Sequence, residues 1–219
     1  MKKFRAYIAV AILLMASGVA YAQGKVLLER FYSHLDDSCI SFSCSYTYRP
    51  SKTSDIAKIG SVTGDASVEI QGGAYIFKGN GLVLTCDGID VCIMDEAAKE
   101  VVYEAMPETL SDMDFLQNPA YLIRGLKENF KVQSSSAGTS GGSVTERHVL
   151  VPTVNCGISK CTIDLAGKGL SSALFDMADG GLLEVKLNSY EAQPRKDASY
   201  FKPKGGSSFD SSWVVTDLR

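Results

Sequence analysis

Positive charge is in short supply in this chain. Its 22 Lys and Arg are outnumbered by 25 Asp and Glu, giving a formal net charge of -3, whereas a nucleic-acid binder needs clustered Lys and Arg to neutralise phosphates. Histidine is scarcer still: His34 and His148 are the only two, so a hydrolase built on a Ser-His-acid triad has two choices of base. Beyond the first 22 residues no apolar run is long enough to span a bilayer. There is no internal repeat.

The one long apolar run opens the chain. Lys2, Lys3 and Arg5 precede AYIAVAILLM, and small residues follow, ending in Ala20-Tyr21-Ala22. This is the layout of a secretory signal, too short for a spanning helix, with cleavage expected before Gln23. Position 23 is not cysteine, so no lipid-anchored product is expected. Removing 22 of the 219 residues leaves 197 at a formal charge of -6, since three cations leave with the signal. That length suits a single domain, residues 23–219, with a sizeable core.

From Gly73 to Tyr103 the sequence reads as an antiparallel meander. Asn80-Gly81 and Asp87-Gly88 are dipeptides that two-residue hairpin loops favour, because the central residues need positive φ. The first turn places Phe77 opposite Leu84 and Tyr75 opposite Cys86. The second places Cys86 opposite Ile89, Leu84 opposite Val91 and Leu82 opposite Ile93. Side chains alternate with period two, so both turns assign Tyr75, Phe77, Leu82, Leu84, Cys86, Ile89, Val91 and Ile93 to one apolar face. The other face carries Lys78, Thr85 and Asp90 but also Ile76, Val83, Cys92 and Met94, and is only partly wet.

On either side of the meander the periodicity switches between helix and strand. Lys25 to Asp37 has Leu28, Phe31, Tyr32 and Leu35 at helical spacing. Ser38 to Tyr48 alternates Ile40, Phe42, Cys44, Tyr46 and Tyr48 against small polar residues, and Ser61 to Gln71 alternates Ala66, Val68 and Ile70. Asn118-Pro119 supplies an N-cap and a first-turn proline for a helix over Ala120 to Glu128, with Leu122, Ile123 and Leu126 as its apolar side. Ser134 to Ser143 has no large residue and reads as a surface loop. Strands are expected at His148 to Val154, Cys161 to Leu165, Leu182 to Tyr190 and Trp213 to Leu218; Leu170 to Met177 fits either strand or one or two helical turns. The count is about ten or eleven strands and two or three helices, a mainly β (α+β) chain whose sheet must curl or be covered.

Six cysteines allow fifteen full pairings, and their number fits an oxidising compartment. Cys39 and Cys44 point to opposite faces of one strand and should not bridge. Cys156 and Cys161 bracket a four-residue stretch that reads as a turn, which makes them the first disulfide candidate. Cys44 and Cys86 fall on apolar faces as buried thiols. A zinc site from the two C-x4-C pairs is disfavoured, because the first pair lies in a strand. Gly138 to Ser143 looks like the surroundings of a trypsin-like nucleophile, but Thr139 stands where that pattern has aspartate and neither histidine is placed to serve it. No catalytic residue, metal or cofactor is expected.

The order of elements resembles the LolA-type outer-membrane lipoprotein carriers. The carrying stretches are VLLERFYSHL leading into SFSCSYTY, GDASVEIQGGAYIF, LTCDGIDVCIMD, NPAYLIRGL before FKV, LLEVKLNSY, and YFKPKGG. The resemblance implies an unclosed antiparallel half-barrel with helices covering its concave face. It also implies a monomeric, soluble periplasmic carrier of acylated lipoproteins that meets an inner-membrane release complex and an outer-membrane acceptor. Phe42, Tyr46, Tyr48, Tyr75, Phe77, Leu82, Leu84, Ile89, Val91 and Ile93 would line its cavity, with Leu122, Ile123 and Leu126 on the lid. The family's second-strand arginine, which ties lid to wall, falls at or near Gln71 here. Envelope-stress regulators are similar in fold, so a sensor or interaction module that binds a protein partner or another lipid is the alternative.

Overall fold

The computed structural model describes residues 26–51, 60–106, 119–167 and 169–219. The signal-like segment lies outside the described residues. Helix α1 (Val26–Asp37) leads into β1 (Cys39–Arg49). There follow β2 (Val62–Gln71), β3 (Ala74–Gly79), β4 (Leu82–Cys86), β5 (Asp90–Asp95) and β6 (Glu100–Ala105). Helix α2 (Pro119–Glu128) precedes β7 (Phe130–Ser140), β8 (Ser143–Pro152), β9 (Ile158–Ala166), β10 (Gly169–Met177) and β11 (Leu182–Gln193). After two short 3-10 turns, β12 (Val214–Asp217) ends the order.

All twelve strands among the described residues join one unclosed sheet, β12-β6-β5-β4-β3-β2-β1-β11-β10-β9-β8-β7. Every neighbouring pair is antiparallel except β12 with β6. This is one strand beyond the expected range, and the ambiguous Leu170–Met177 stretch is strand throughout. Both α-helices cover the same face, called inner here. Leu28, Phe31 and Leu35 of α1 and Leu122, Ile123 and Leu126 of α2 enter one core cluster with the inner-face residues of the strands. Amphipathic spacing thus decides the layering: each helix has one apolar stripe, and the sheet offers a large apolar surface to bury it.

The first meander turn has the expected register, Tyr75 opposite Cys86 and Phe77 opposite Leu84. The second does not. Cys86 faces Val91, Leu84 faces Ile93 and Leu82 faces Asp95, a slip of two residues. The Asp87 carboxylate accepts from the backbone N–H groups of Ile89 and Asp90, each at 3.0 Å, which moves the two-residue loop onto Gly88-Ile89. Gly88 at φ 99° then takes the first central position, as a type II′ turn requires. An even slip keeps every side chain on its face, but it carries Ile89 to the tip, where it is 75% exposed.

Ser134 to Ser143 is a second correction. It is not a loop but most of the edge strand β7, paired with β8 from Ser135 opposite His148 out to Ser140 opposite Ser143. Gly141 and Gly142, at φ 56° and 81°, make the turn into β8. An edge strand of small residues can form here because β8 supplies the backbone partners, whatever the side chains bury.

Cys44 and Cys86 are buried thiols as expected, whereas the candidate Cys156–Cys161 bridge is not formed. All six are buried free thiols. Cys156 and Cys161 do not flank a hairpin turn: Cys161 sits inside β9 opposite Phe175, and Cys156 lies before the strand begins.

Beyond β11 the chain crosses the outer face. The Gln71 amide holds it there, donating to the Lys196 carbonyl at 2.9 Å and accepting from the Lys196 N–H at 2.7 Å. Glu69 pairs with the Lys196 ammonium and accepts from the Tyr200 hydroxyl at 2.9 Å. A smaller core forms farther along this face, where Cys92, Val101 and Tyr103 pack with Met94, Phe209 and Trp213.

Candidate functional site: an apolar cavity under the second helix

Four central strands and α2 enclose a cavity on the inner face. Phe42, Cys44 and Tyr46 of β1, Val68 of β2, Ala173 and Phe175 of β10, and Leu183 and Val185 of β11 form its wall; Leu122 and Ile123 of α2 close it. Among the described residues, none that is charged at neutral pH borders it. Its free space is about 20 Å³, enough for roughly one water by the usual minimum of ~10–15 Å³, and an apolar hole of that size stays dry.

The sequence-based residues divide accordingly. Phe42 and Tyr46 border the cavity, and Leu122 and Ile123 roof it. Leu126 is fully buried, with its carbonyl accepting from Tyr32 of α1 at 3.3 Å. Tyr48, Tyr75, Phe77, Leu84 and Val91 are buried in the same core without bordering the hollow, and Leu82 and Ile93 pack at its margin. Ile89 is in solvent and lines nothing. Val68, Ala173, Phe175, Leu183 and Val185 were not expected as lining. Alternation marks each as inward-facing within its own strand, but nothing local reveals that β1 pairs with β11, the contact that brings them together.

Polar groups on the inner face fix α1 rather than the cavity. Glu146 of β8, 1% exposed, accepts from the Leu27 N–H at 3.0 Å through Oε1 and from the Leu28 N–H at 3.2 Å through Oε2. A carboxylate at a helix start satisfies orphan donors and matches the positive end of the helix dipole. His148, fully buried, places Nε2 2.9 Å from Glu146 Oε2 and Nδ1 2.8 Å from the Ser135 hydroxyl. This gives His148 the partners that the sequence did not reveal. The three groups have the composition of a triad but not its access, since the imidazole is sealed from solvent and both carboxylate oxygens are committed to the helix.

The other end of α1 is held too: Arg195 donates to the Asp36 carbonyl at 2.8 Å. Helix α2 is tied more lightly among the described residues, through the Tyr32–Leu126 hydrogen bond and the Lys127–Asp36 ion pair. Exposed ion pairs of that kind contribute little, about 0–1 kcal/mol. Gln71, at or near the position of the family's lid-locking arginine, does not reach α2; it faces outward and secures the C-terminal segment.

Burial perturbs the titratable groups of this core. It pushes the Cys44 thiol up to about 11, and burial followed by the neighbouring Cys161 charge raises the Tyr32 phenol to about 12. Raised folded-state values favour the protonated forms, so their stabilising effect is complete below pH 9, the ordinary thiol value, and fades as pH climbs toward the folded values. Thermal melts should therefore fall between pH 9 and 11, and Cys44→Ala should flatten that fall. An equally steep fall in the variant would remove Cys44 from the account.

No protein-family model matches the chain and no curated protein matches its sequence. Solved structures do share its fold. A conserved protein from Thermus thermophilus superposes with a TM-score of 0.52 at 7% identity, covering 89% of this chain and 99% of that one. A LolA superfamily protein from Nitrosomonas europaea gives 0.42 at 8% identity over 82% and 97%. MucB in its complex with MucA from Pseudomonas aeruginosa gives 0.35 at 10% identity over 83% and 61%. At 7% identity the likeness to the Thermus thermophilus protein is one of fold alone.

Proposed function

We propose that this protein is a periplasmic carrier that shelters the acyl chains of lipoproteins under α2 as they pass from inner to outer membrane. The observation that carries the reading is an apolar cavity whose roof is an amphipathic helix. Displacing α2 exposes Leu122, Ile123 and Leu126 at roughly 1.5–3 kcal/mol each, while each buried acyl methylene returns about 0.8 kcal/mol. About six to eleven methylenes therefore offset the opening, and one ordinary acyl chain exceeds that. The closed, dry state is then the empty carrier, and cargo replaces the helix side chains one apolar surface for another. The sequence resemblance to lipoprotein carriers supports the same reading.

The test is uptake of a synthetic triacylated lipopeptide by the purified protein, together with mass spectrometry of organic extracts from protein isolated from its own periplasm. Acyl species in the extract, and faster uptake when Tyr32→Phe and Asp36→Ala loosen α2, are expected. A protein that yields no lipid and takes none up, with or without the loosening changes, would end the carrier reading.

The β7 edge favours a second reading. It is an eleven-residue, mostly exposed strand with no neighbour on one side among the described residues, the geometry that accepts an added strand from another protein. A stoichiometric protein partner in lipid-free preparations would favour that role.

A further inference from the structure

The outer face holds a second hollow, separated from the inner cavity by the sheet itself. Its floor is the half-buried side of the meander: Ile76 and Lys78 of β3, Val83 and Thr85 of β4, Cys92 and Met94 of β5. The C-terminal segment overhangs it with Tyr200, Lys202, Lys204 and Phe209. Its free space is about 330 Å³, far more than the cavity under α2, and within the range of small-molecule sites.

Its charge is unusual for this chain. Lys78, Lys202 and Lys204 border the hollow with Glu96 as the only acid, although acids outnumber bases overall. None of the three ammonium groups enters an ion pair among the described residues, whereas Lys196, on the same segment, is paired with Glu69. A largely apolar floor beneath a rim of net positive charge complements a molecule that has both parts. We infer that this hollow binds a single-chain anionic amphiphile, a long-chain carboxylate, with its head among Lys78, Lys202 and Lys204 and its tail along Ile76, Val83 and Met94. Lysine ammonium groups act as point charges that suit a carboxylate without demanding the two-pronged geometry of arginine. A volume at the lower end of the small-molecule range favours one chain over a diacyl lipid.

The chain carries its own reporter. Trp213 is the only tryptophan, and its ring lies 5.0 Å from that of Phe209 in the wall of the hollow. Titration with dodecanoate, followed by Trp213 emission below the micelle concentration, should give a saturable change, while dodecanol should give a much weaker one. The surface variant Lys78→Gln/Lys202→Gln/Lys204→Gln should raise Kd roughly tenfold, and added salt should weaken wild-type binding more than variant binding. Absence of a saturable change, an equal response to dodecanol, or an unaltered Kd in the triple variant would overturn the assignment. Lipopeptide held under α2 is on the far side of the sheet from Trp213, so failure here leaves the carrier reading standing, and the reverse also holds.

Discussion

Glu146→Ala is expected to unfold at markedly lower urea concentration than wild type, with a loss of about 2–5 kcal/mol. Two costs combine. The Leu27 and Leu28 N–H groups lose their acceptor, and a helix cap of this kind contributes about 0.5–2 kcal/mol. The fully buried His148 ring loses its partner at Nε2, and an orphaned buried polar group costs about 1–3 kcal/mol. Glu146→Gln should fall between, since its amide oxygen still accepts from one donor but no longer brings a negative charge to the helix start. Hydrogen exchange should localise the damage: amides in the first turn of α1 lose protection before those of β8. An unchanged urea midpoint for the alanine variant would mean that the carboxylate does not hold α1 in place.

Phe175→Ala is expected to separate stability from binding. The ring is 1% exposed and forms part of the cavity wall, so truncation should cost about 3–5 kcal/mol. The same change should enlarge an apolar hole that now has about 20 Å³ free, giving small hydrocarbons a place to bind without moving α2. Binding of benzene or xenon by the variant and not by wild type is the expected signature, read by thermal shift or NMR. A destabilised variant that binds neither would show that the site collapses on truncation, leaving no hollow for cargo to inherit.

Much of the layout was legible because it rests on short-range rules. Helical spacing from Leu28 to Leu35 and at Leu122, Ile123 and Leu126 marked both helices, and alternation placed Phe42 and Tyr46 on the inner face. The meander was legible down to parity, yet its second turn moved by one position because the Asp87 side chain competes for the loop amides. Composition misled at Ser134 to Ser143, where lack of large residues looked like lack of structure. The candidate cavity was only half visible: its β1 and α2 members are local signals, whereas Phe175, Leu183 and Val185 arrive through a pairing of residues far apart in sequence. The roles of Gln71 and His148 were hidden for the same reason, since each depends on a partner that only the assembled sheet brings near.

The place of β1 in the sheet bears on biogenesis. Strands β1 to β6 and β7 to β11 each form a run of sequential neighbours, and the seam between the runs is β1 against β11, with Arg49 opposite Leu182 and Cys39 opposite Gln193. Contacts across so long a stretch form late, because the loop must close before they return any stability. Until then β1 has an open flank, the kind of species that needs shielding from aggregation. Since the seam runs through the cavity wall, the oily hollow exists only once the last long strand has docked, and a half-made chain offers hydrocarbon no enclosed place to settle.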